Sequence, residues 1–279
     1  MAQLVDKTVF EEQGYIVAKH LFSRAEAAAL RDHFMALRAE GAKEHDMEAD
    51  TKIAGDPLKQ FPRMLHMQRW DKRSLEWALT ERITKNVALL LDDAPLLAQT
   101  MLYFKPPGAR GQAMHQDQYY LRAKPGTCLA AWMALDDTDV ENGCMHVVPG
   151  SHTWELLCPV KADTTQSFTD TAVPLPEGTP VVPIAMEAGD VLFFNGQLVH
   201  GSSPNISRQR FRRSLIAHYI EAKAEQIAAY DQPLIKMDGS PLYIKVSEGG
   251  GRCGVWVDQD GRPEIELSGD LTAAANAIH

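Results

Sequence analysis

Three residues in this chain have the types and the spacing to hold one metal ion. His115 and Asp117 stand two apart, and His200 lies far downstream. Two imidazoles and a carboxylate present nitrogen, nitrogen and oxygen to one face of a non-haem Fe(II) ion and leave the opposite face open to a co-substrate and dioxygen. Side chains two apart on an extended strand leave the same face. His115 and Asp117 are therefore expected to reach one ion from one strand, with His200 arriving from another. An H-x-D pair alone recurs in many chains by chance. Its neighbours give it weight.

The distal histidine opens the run His200-Gly201-Ser202-Ser203-Pro204-Asn205-Ile206-Ser207, and Arg212-Arg213 follow. An arginine on the strand after the third ligand can fork onto a carboxylate through two parallel hydrogen bonds. Between the ligands, Glu141 to His152 reads as a turn, a short apolar strand and a second turn, and Ala188 to Asn195 as a turn and a strand leading toward His200. Gly143, Gly150 and Gly189 suit the turns, where a side chain would be strained.

The order H-x-D, N-G-x-x-x-x-x-P-G-S-H, G-D-x-x-x-F, H-G-S-x-x-N-x-S and then Arg-Arg resembles the phytanoyl-CoA dioxygenase family over roughly residues 8 to 220. The resemblance implies a mainly β fold with flanking helices, built on a double-stranded β-helix (jelly-roll, cupin-like) core. It also implies Fe(II), 2-oxoglutarate and O2, and hydroxylation of a C–H bond in a small metabolite with release of succinate and CO2. Carried over by residue, it makes His115, Asp117 and His200 the iron ligands and catalytic centre. Arg212 becomes the 2-oxoglutarate anchor with Ser202 beside it. Trp132 lines the co-substrate pocket, and Gln99 and Tyr103, ahead of Lys105-Pro106-Pro107-Gly108, touch the co-substrate. The stretch Arg208-Gln209-Arg210-Phe211 is about one residue longer than the family spacing, so Arg213 and Arg210 stand as alternatives to Arg212. Strand alternation sends Arg212 and Arg213 to opposite faces. A carboxylate at 117 favours hydroxylation, because related halogenating enzymes carry a small residue there to admit chloride. Two other classes fit the same ligands: a cupin-type metal enzyme that does not use 2-oxoglutarate, and a catalytically silent metal-binding protein of this fold.

Other residues have plainer readings. His146 suits an outward strand position, His152 a turn, and His218 a core or pocket-wall position after the arginines. Asn205 and Ser207 suit side-chain to backbone turns. By alternation, one of Tyr119 and Tyr120 is expected to face the cavity.

A net charge of −9 argues against non-specific nucleic-acid binding and leaves room for a small anionic substrate met by a local arginine cluster. No apolar run is long enough for a membrane span, and the first residues lack the basic and apolar regions of a signal peptide. Cys128, Cys144, Cys158 and Cys253 show no C-x-x-C spacing, so four reduced thiols and a cytoplasmic location are expected. The expected partner is a small-molecule substrate rather than a nucleic acid or a membrane, and the oligomeric state, monomer or homodimer, is left open.

The elements that must position these groups fall into three parts of one dioxygenase domain, 1–279. Residues 1–98 read as a helical layer, with an early strand at 14–17 and a helix from Arg24 to Glu40 announced by a Ser23/Glu26 capping box. A second helix is expected over Ser74 to Leu91, and the polar stretch 41–63 reads as a long lid-like loop. Residues 99–220 form the strand-rich core, with a proline-rich insertion at 159–183 near the barrel mouth. Residues 221–279 form an extension, expected to be helical over Ala222 to Tyr230 and to carry strands over Pro241 to Val246 and Gly254 to Val257. Substrate-wall residues are expected in the variable segments, among them Met64, His66, Gln68, Arg69, Trp70 and Arg122.

Overall fold

The computed structural model describes residues 3–47 and 55–278. Residues 48–54 of the expected 41–63 loop lie outside the described residues. Two antiparallel sheets face each other. The major sheet runs Tyr15–Ala18, Val191–Asn195, Cys128–Ala134, Arg212–Glu221, Pro95–Lys105, with Leu234–Ile235 and Arg63–Leu65 both pairing onto the last of these. The minor sheet runs Val182–Ile184, Met145–Val147, His200–Ser202, Gln112–His115. From Pro95–Lys105 onward the barrel strands pass back and forth between the sheets, except that Met145–Val147 and Val182–Ile184 pair within the minor one, which makes the double-stranded β-helix.

Strand alternation divides the major sheet into two cores. Leu129, Ala131 and Met133 of one strand, with Leu215, Ala217 and Tyr219 of the next, face outward into a cluster with Phe34, Trp77, Ile83 and Val87 from the helices. Tyr219 ties the layers together by donating its hydroxyl to the carbonyl of Ala78 at 2.6 Å. The intervening residues Ala130, Trp132, Ala134 and Ile216 face inward, against Met145, Val147 and Ile184 of the minor sheet. Gln99, Arg212 and His218, polar residues of the same sheet, line the cavity between the two sheets.

The N-terminal layer is stitched into the barrel. Arg24–Ala39 starts at the expected capping box, in which Ser23 and Glu26 satisfy each other's backbone N–H groups. The strand Tyr15–Ala18 pairs with Val191–Asn195 in register Ile16 to Phe193. The expected Ser74 to Leu91 helix is two helices, Lys72–Ala78 and Glu81–Leu91. Asp71 accepts from the backbone of Ser74 at the first, and the chain leaves helical geometry at Thr80, the N-cap of the second.

Two expectations for the extension are corrected. Residues 222–230 form a turn, the short strand Gln226–Ile227 and a 3-10 turn over Ala229–Asp231, not a helix. The backbone N–H groups of Glu225 and Gln226 are taken by the carbonyl of Lys124, and that of Ala228 by Leu121, so long-range partners outbid the local ladder. Nor are the four cysteines all thiols. Cys158 and Cys253 form a disulfide that joins the 155–175 segment to the hairpin Arg252–Gln259/Arg262–Asp270, while Cys128 and Cys144 are free and buried. Their separation of 95 residues left nothing local to read. Among the described residues, no helix is long and apolar enough to cross a membrane.

Candidate metal and co-substrate site

Register brings the two histidines together. His115 ends the strand Gln112–His115 and lies directly opposite His200, the first residue of its partner strand. Residues directly opposite in an antiparallel pair send their side chains out on the same face, and the imidazole centroids stand 4.2 Å apart. His115 Nδ1 donates to the carbonyl of Ala113 at 2.8 Å, and His200 Nδ1 to that of Leu198 at 2.9 Å. Each ring is thereby held in the tautomer whose Nε2 carries a lone pair. The Nε2 of His115 accepts from Gln112 Nε2 at 3.0 Å, as an unprotonated nitrogen must. Gly201 has no side chain beside this pairing; a Cβ there would meet the Gln112 carbonyl at 2.8 Å.

Asp117 arrives by a different route from the one expected. The strand stops at His115, and Asp117 has helical backbone angles and heads the short helix Gln118–Leu121. The intervening Gln116 explains the turn. Its Nε2 donates to Gln197 O at 2.9 Å, and its Oε1 accepts from the backbone of Leu157 at 2.8 Å, so Gln116 is pinned into the neighbouring loops. Tyr119 and Tyr120 are therefore helical rather than alternating, and both line the cavity.

Asp117 Oδ1 lies 3.3 Å from His115 Nε2 and 3.6 Å from His200 Nε2. The three ligand atoms fall within 4.8 Å of one another, and all three residues are buried. Burial, then the neighbouring His115, press the pKa of His200 down to about 4, so its imidazole is neutral at pH 7. Burial opposes ionisation of Asp117, but the neighbouring His200 and His218 rings and the hydrogen bond from His218 outweigh it and hold the carboxyl well below its usual range. Two imidazole nitrogens and one carboxylate oxygen converging at this separation fit a divalent iron ion bound on one face.

The cluster opens into a cavity of about 590 Å³. Arg212, Ser202, Trp132, Gln99 and Tyr103, all expected at the site, line it. Arg212 is fully buried; its Nε donates to Gly143 O at 3.2 Å and its Nη1 to Ser214 Oγ at 3.0 Å, and its guanidinium lies 5.4 Å over the Trp132 ring. It has no carboxylate partner among the described residues. Burial lowers its pKa to about 10, which leaves it charged at neutral pH. Arg213 faces the other way and forks onto Asp136 with two bonds of 2.7 Å. Arg210 is taken up by Asp139 and Glu141 on the surface.

Two contributors, Lys105 and Arg63, escaped the sequence reading, and a third, His218, expected at a core or pocket-wall position, lines the cavity. Lys105 is buried directly across the ladder from Arg212, and its Nζ donates to Ser202 Oγ at 2.8 Å, Ser203 O at 2.6 Å and Gly143 O at 3.2 Å; burial, then the neighbouring Arg212, pushes its pKa well below the usual lysine range. Ser202's oxygen thus accepts from Lys105, and its own proton is free to donate into the cavity. The signal was in the K-P-P-G segment, but only register reveals its partner. His218 donates to Asp117 Oδ2 at 2.9 Å; alternation from 212 through 214 and 216 put it on the cavity face. Arg63 lines the cavity, with its guanidinium 4.7 Å over Phe168 and 5.5 Å over Tyr103. Of the expected wall residues, His66 lines the cavity. Met64 and Gln68 are buried in the core, Trp70 is exposed, Arg69 holds the carbonyls of Tyr230 and Gln232, and Arg122 bonds to Glu248 O. Thr169, Asp170 and Thr171, from the 159–183 insertion, and residues 45–47 complete the mouth. His146 and His152 lie outside it, His152 donating to the carbonyl of Glu11.

The family model for phytanoyl-CoA dioxygenase (PhyH) matches residues 10–214. The chain belongs to the phytanoyl-CoA dioxygenase family. It is similar to "Phytanoyl-CoA dioxygenase 1" of Oryza sativa subsp. japonica, 31% identical over 150 residues that cover 53% of each chain. It is also similar to "Phytanoyl-CoA dioxygenase, peroxisomal" of Bos taurus, 26% identical over 244 residues, covering 80% of this chain and 70% of that one. The chain spans about half the length of the plant relatives it matches. A solved structure of similar fold is the epimerase SnoN from nogalamycin biosynthesis, in complex with Fe3+, alpha ketoglutarate and nogalamycin RO. It has a TM-score of 0.64 and 23% identity, over 91% of this chain and 95% of that one. This PhyH-family chain therefore shares its double-stranded β-helix with an iron- and keto-acid-binding protein, and carries its buried N, N, O cluster at the heart of that fold.

Proposed function

We propose that this PhyH-family chain is an Fe(II)- and 2-oxoglutarate-dependent dioxygenase that hydroxylates a C–H bond of a small metabolite and releases succinate and CO2. One observation carries the reading. The His115/Asp117/His200 cluster shares a cavity with a buried guanidinium, Arg212, that has no carboxylate partner among the described residues. A buried cation without a counter-charge is costly unless an anion comes to it. A dicarboxylate that spans from the metal ligands to Arg212 supplies that anion.

In this reading His115, Asp117 and His200 are the catalytic metal ligands. Bound Fe(II) supplies the oxygen-activating chemistry, with 2-oxoglutarate as the electron donor that leaves as succinate and CO2. The chain's own residues position and shield. Arg212 and Ser202 hold the remote carboxylate, Lys105 orients the Ser202 hydroxyl, and Trp132 walls the pocket so that the charged contact stays dry. Gln99 and Tyr103 face the same cavity with polar tips available to the co-substrate. Tyr119, Tyr120, Leu65 and Met101 offer a partly apolar wall to a substrate. We take residues 1–279 as one catalytic domain. A cytoplasmic location is part of the proposal, against which the Cys158–Cys253 bond and relatives named peroxisomal both weigh; cell fractionation decides it.

The test is succinate formation from 2-oxoglutarate by anaerobically iron-loaded protein, with and without a panel of candidate metabolites. Turnover that requires iron and rises with one class of compound supports the proposal. No succinate under any condition, with iron bound, refutes it in favour of a metal enzyme of another kind or a silent binding protein.

A further inference from the structure

We infer that His218 is a positioning residue for Asp117: it holds the Oδ2 oxygen so that only Oδ1 is presented to a metal ion. The inference rests on the metal-site reading above and adds a role for a residue outside the ligand set.

Asp117 needs such a partner. Its backbone leaves the strand before it, so sheet pairing does not fix its direction. The terminal torsion of an aspartate is broad and nearly two-fold, so either oxygen can turn inward at little cost. In the structure the two oxygens have different company. Oδ1 faces the two imidazoles at 3.3 and 3.6 Å, and Oδ2 accepts from His218 Nε2 at 2.9 Å.

His218 is placed for this one contact. It is buried on the cavity face of Arg212–Glu221, at the point where the ladder to Pro95–Lys105 shifts register between His218 and Tyr219. Such irregularities re-aim side chains. Its other neighbour across the sheet is Ala130, which is small enough to leave the imidazole room. Its Nδ1 is buried with no hydrogen-bond partner among the described residues, so the Nε2 contact to Asp117 is the ring's sole hydrogen bond among them. A carboxylate with one oxygen occupied in this way binds a metal through the other alone. That keeps the ligand count at three and the opposite face of the ion open.

The experiment is anaerobic calorimetric titration of Mn(II), a redox-quiet stand-in, into the full-length protein and four variants. His218→Gln places an amide N–H where imidazole Nε2 was. His218→Asn places it near Nδ1, too far from Asp117, and His218→Met fills the space with no donor. Partners that orient metal ligands typically contribute 10- to 100-fold in affinity. The expected result is that Met and Asn weaken Mn(II) binding about tenfold or more, while Gln stays within about threefold of the parent. Metal-free unfolding midpoints of Gln and Asn, measured alongside, should match, so that the difference is not one of folding. Should His218→Met fail to fold, the Gln and Asn pair carries the comparison. Equal affinity in Gln, Asn and parent overturns the inference, and so does equal loss in both. The fourth variant, His200→Ala, separates the two levels. If it binds Mn(II) as well as the parent, or the parent binds none, the site assignment itself fails.

Discussion

Replacing Arg212 by alanine removes one partner from the contact that defines the proposed co-substrate site. The guanidinium is 2% exposed, and no carboxylate among the described residues is paired with it. Truncating one member of a desolvated, hydrogen-bonded charge pair costs about 2–5 kcal/mol. At about 1.4 kcal/mol per decade, that is a rise in the 2-oxoglutarate Kd of roughly 30-fold to several thousand-fold. Lys105 narrows the range. It lies across the ladder from Arg212 and shares the Gly143 carbonyl with it, so one nitrogen donor survives the substitution. We expect the lower end, about 30- to 300-fold. Arg212→Lys should recover only part of the loss, because a point charge cannot reproduce the planar fork and would sit beside Lys105. Arg213→Ala is the control. Its side chain is committed to Asp136 on the outer face, so it should lower thermal stability and leave co-substrate affinity within about twofold. The assay is anaerobic titration of 2-oxoglutarate into iron-loaded protein, following the metal-to-ligand charge-transfer band. Loss of the band in Arg213→Ala and retention in Arg212→Ala would refute the reasoning. Retention in both would show that the protein does not bind 2-oxoglutarate through this anchor.

The other predictions concern the ligands, a buried acid and a helix cap. His115→Ala, Asp117→Ala, Asp117→Gly and His200→Ala should each abolish hydroxylation and weaken Fe(II) binding; full turnover and iron content in purified His200→Ala would remove it from the ligand set. Asp231 is buried with neither carboxylate oxygen hydrogen-bonded among the described residues, and burial, partly offset by His218 and Arg69, raises its pKa to about 7. A carboxyl raised in the folded state holds its proton there while the unfolded chain has lost it, so stability falls as pH rises from about 4 to about 7. Asp231→Asn should therefore be stabilising at pH 8 by up to about 4 kcal/mol and nearly neutral at pH 4, as read by denaturant unfolding; a pH-independent difference would sink the assignment. Ser23→Ala breaks the capping box of Arg24–Ala39 and should cost about 1 kcal/mol, or about 2 °C in Tm; no change in Tm would show that the box is not formed in solution.

Local readings succeeded where neighbours in sequence are neighbours in space. The capping box at Ser23 is a contact over three residues, and it is present as read. The order of H-x-D, H-G-S and Arg-Arg pointed to the barrel strands that carry the histidines and the arginines. Alternation put Arg212 and Arg213 on opposite faces, because a strand's two faces are set by its own backbone, while the family resemblance chose Arg212 for the inner one. Where one residue's local preference was overruled, the reading failed. Residues 222–230 have helix-forming composition, yet the carbonyls of Lys124 and Leu121 claim their N–H groups. Asp117 was placed on a strand by spacing, but the burial of Gln116 among Gln197 and Leu157 turns the chain before it.

By itself, then, the sequence determined the types of donor at the candidate site, the strands that bear the two histidines, and that Arg212 and Arg213 take opposite sides of theirs. Only the tertiary structure decided which groups meet. The pairing of His115 with His200, of Lys105 with Arg212, of His218 with Asp117 and of Cys158 with Cys253 each joins residues far apart in the chain. Such contacts follow from sheet register and from which face is buried. Both are set by the packing of the whole core rather than by any local propensity, and a slip of one residue would exchange every partner.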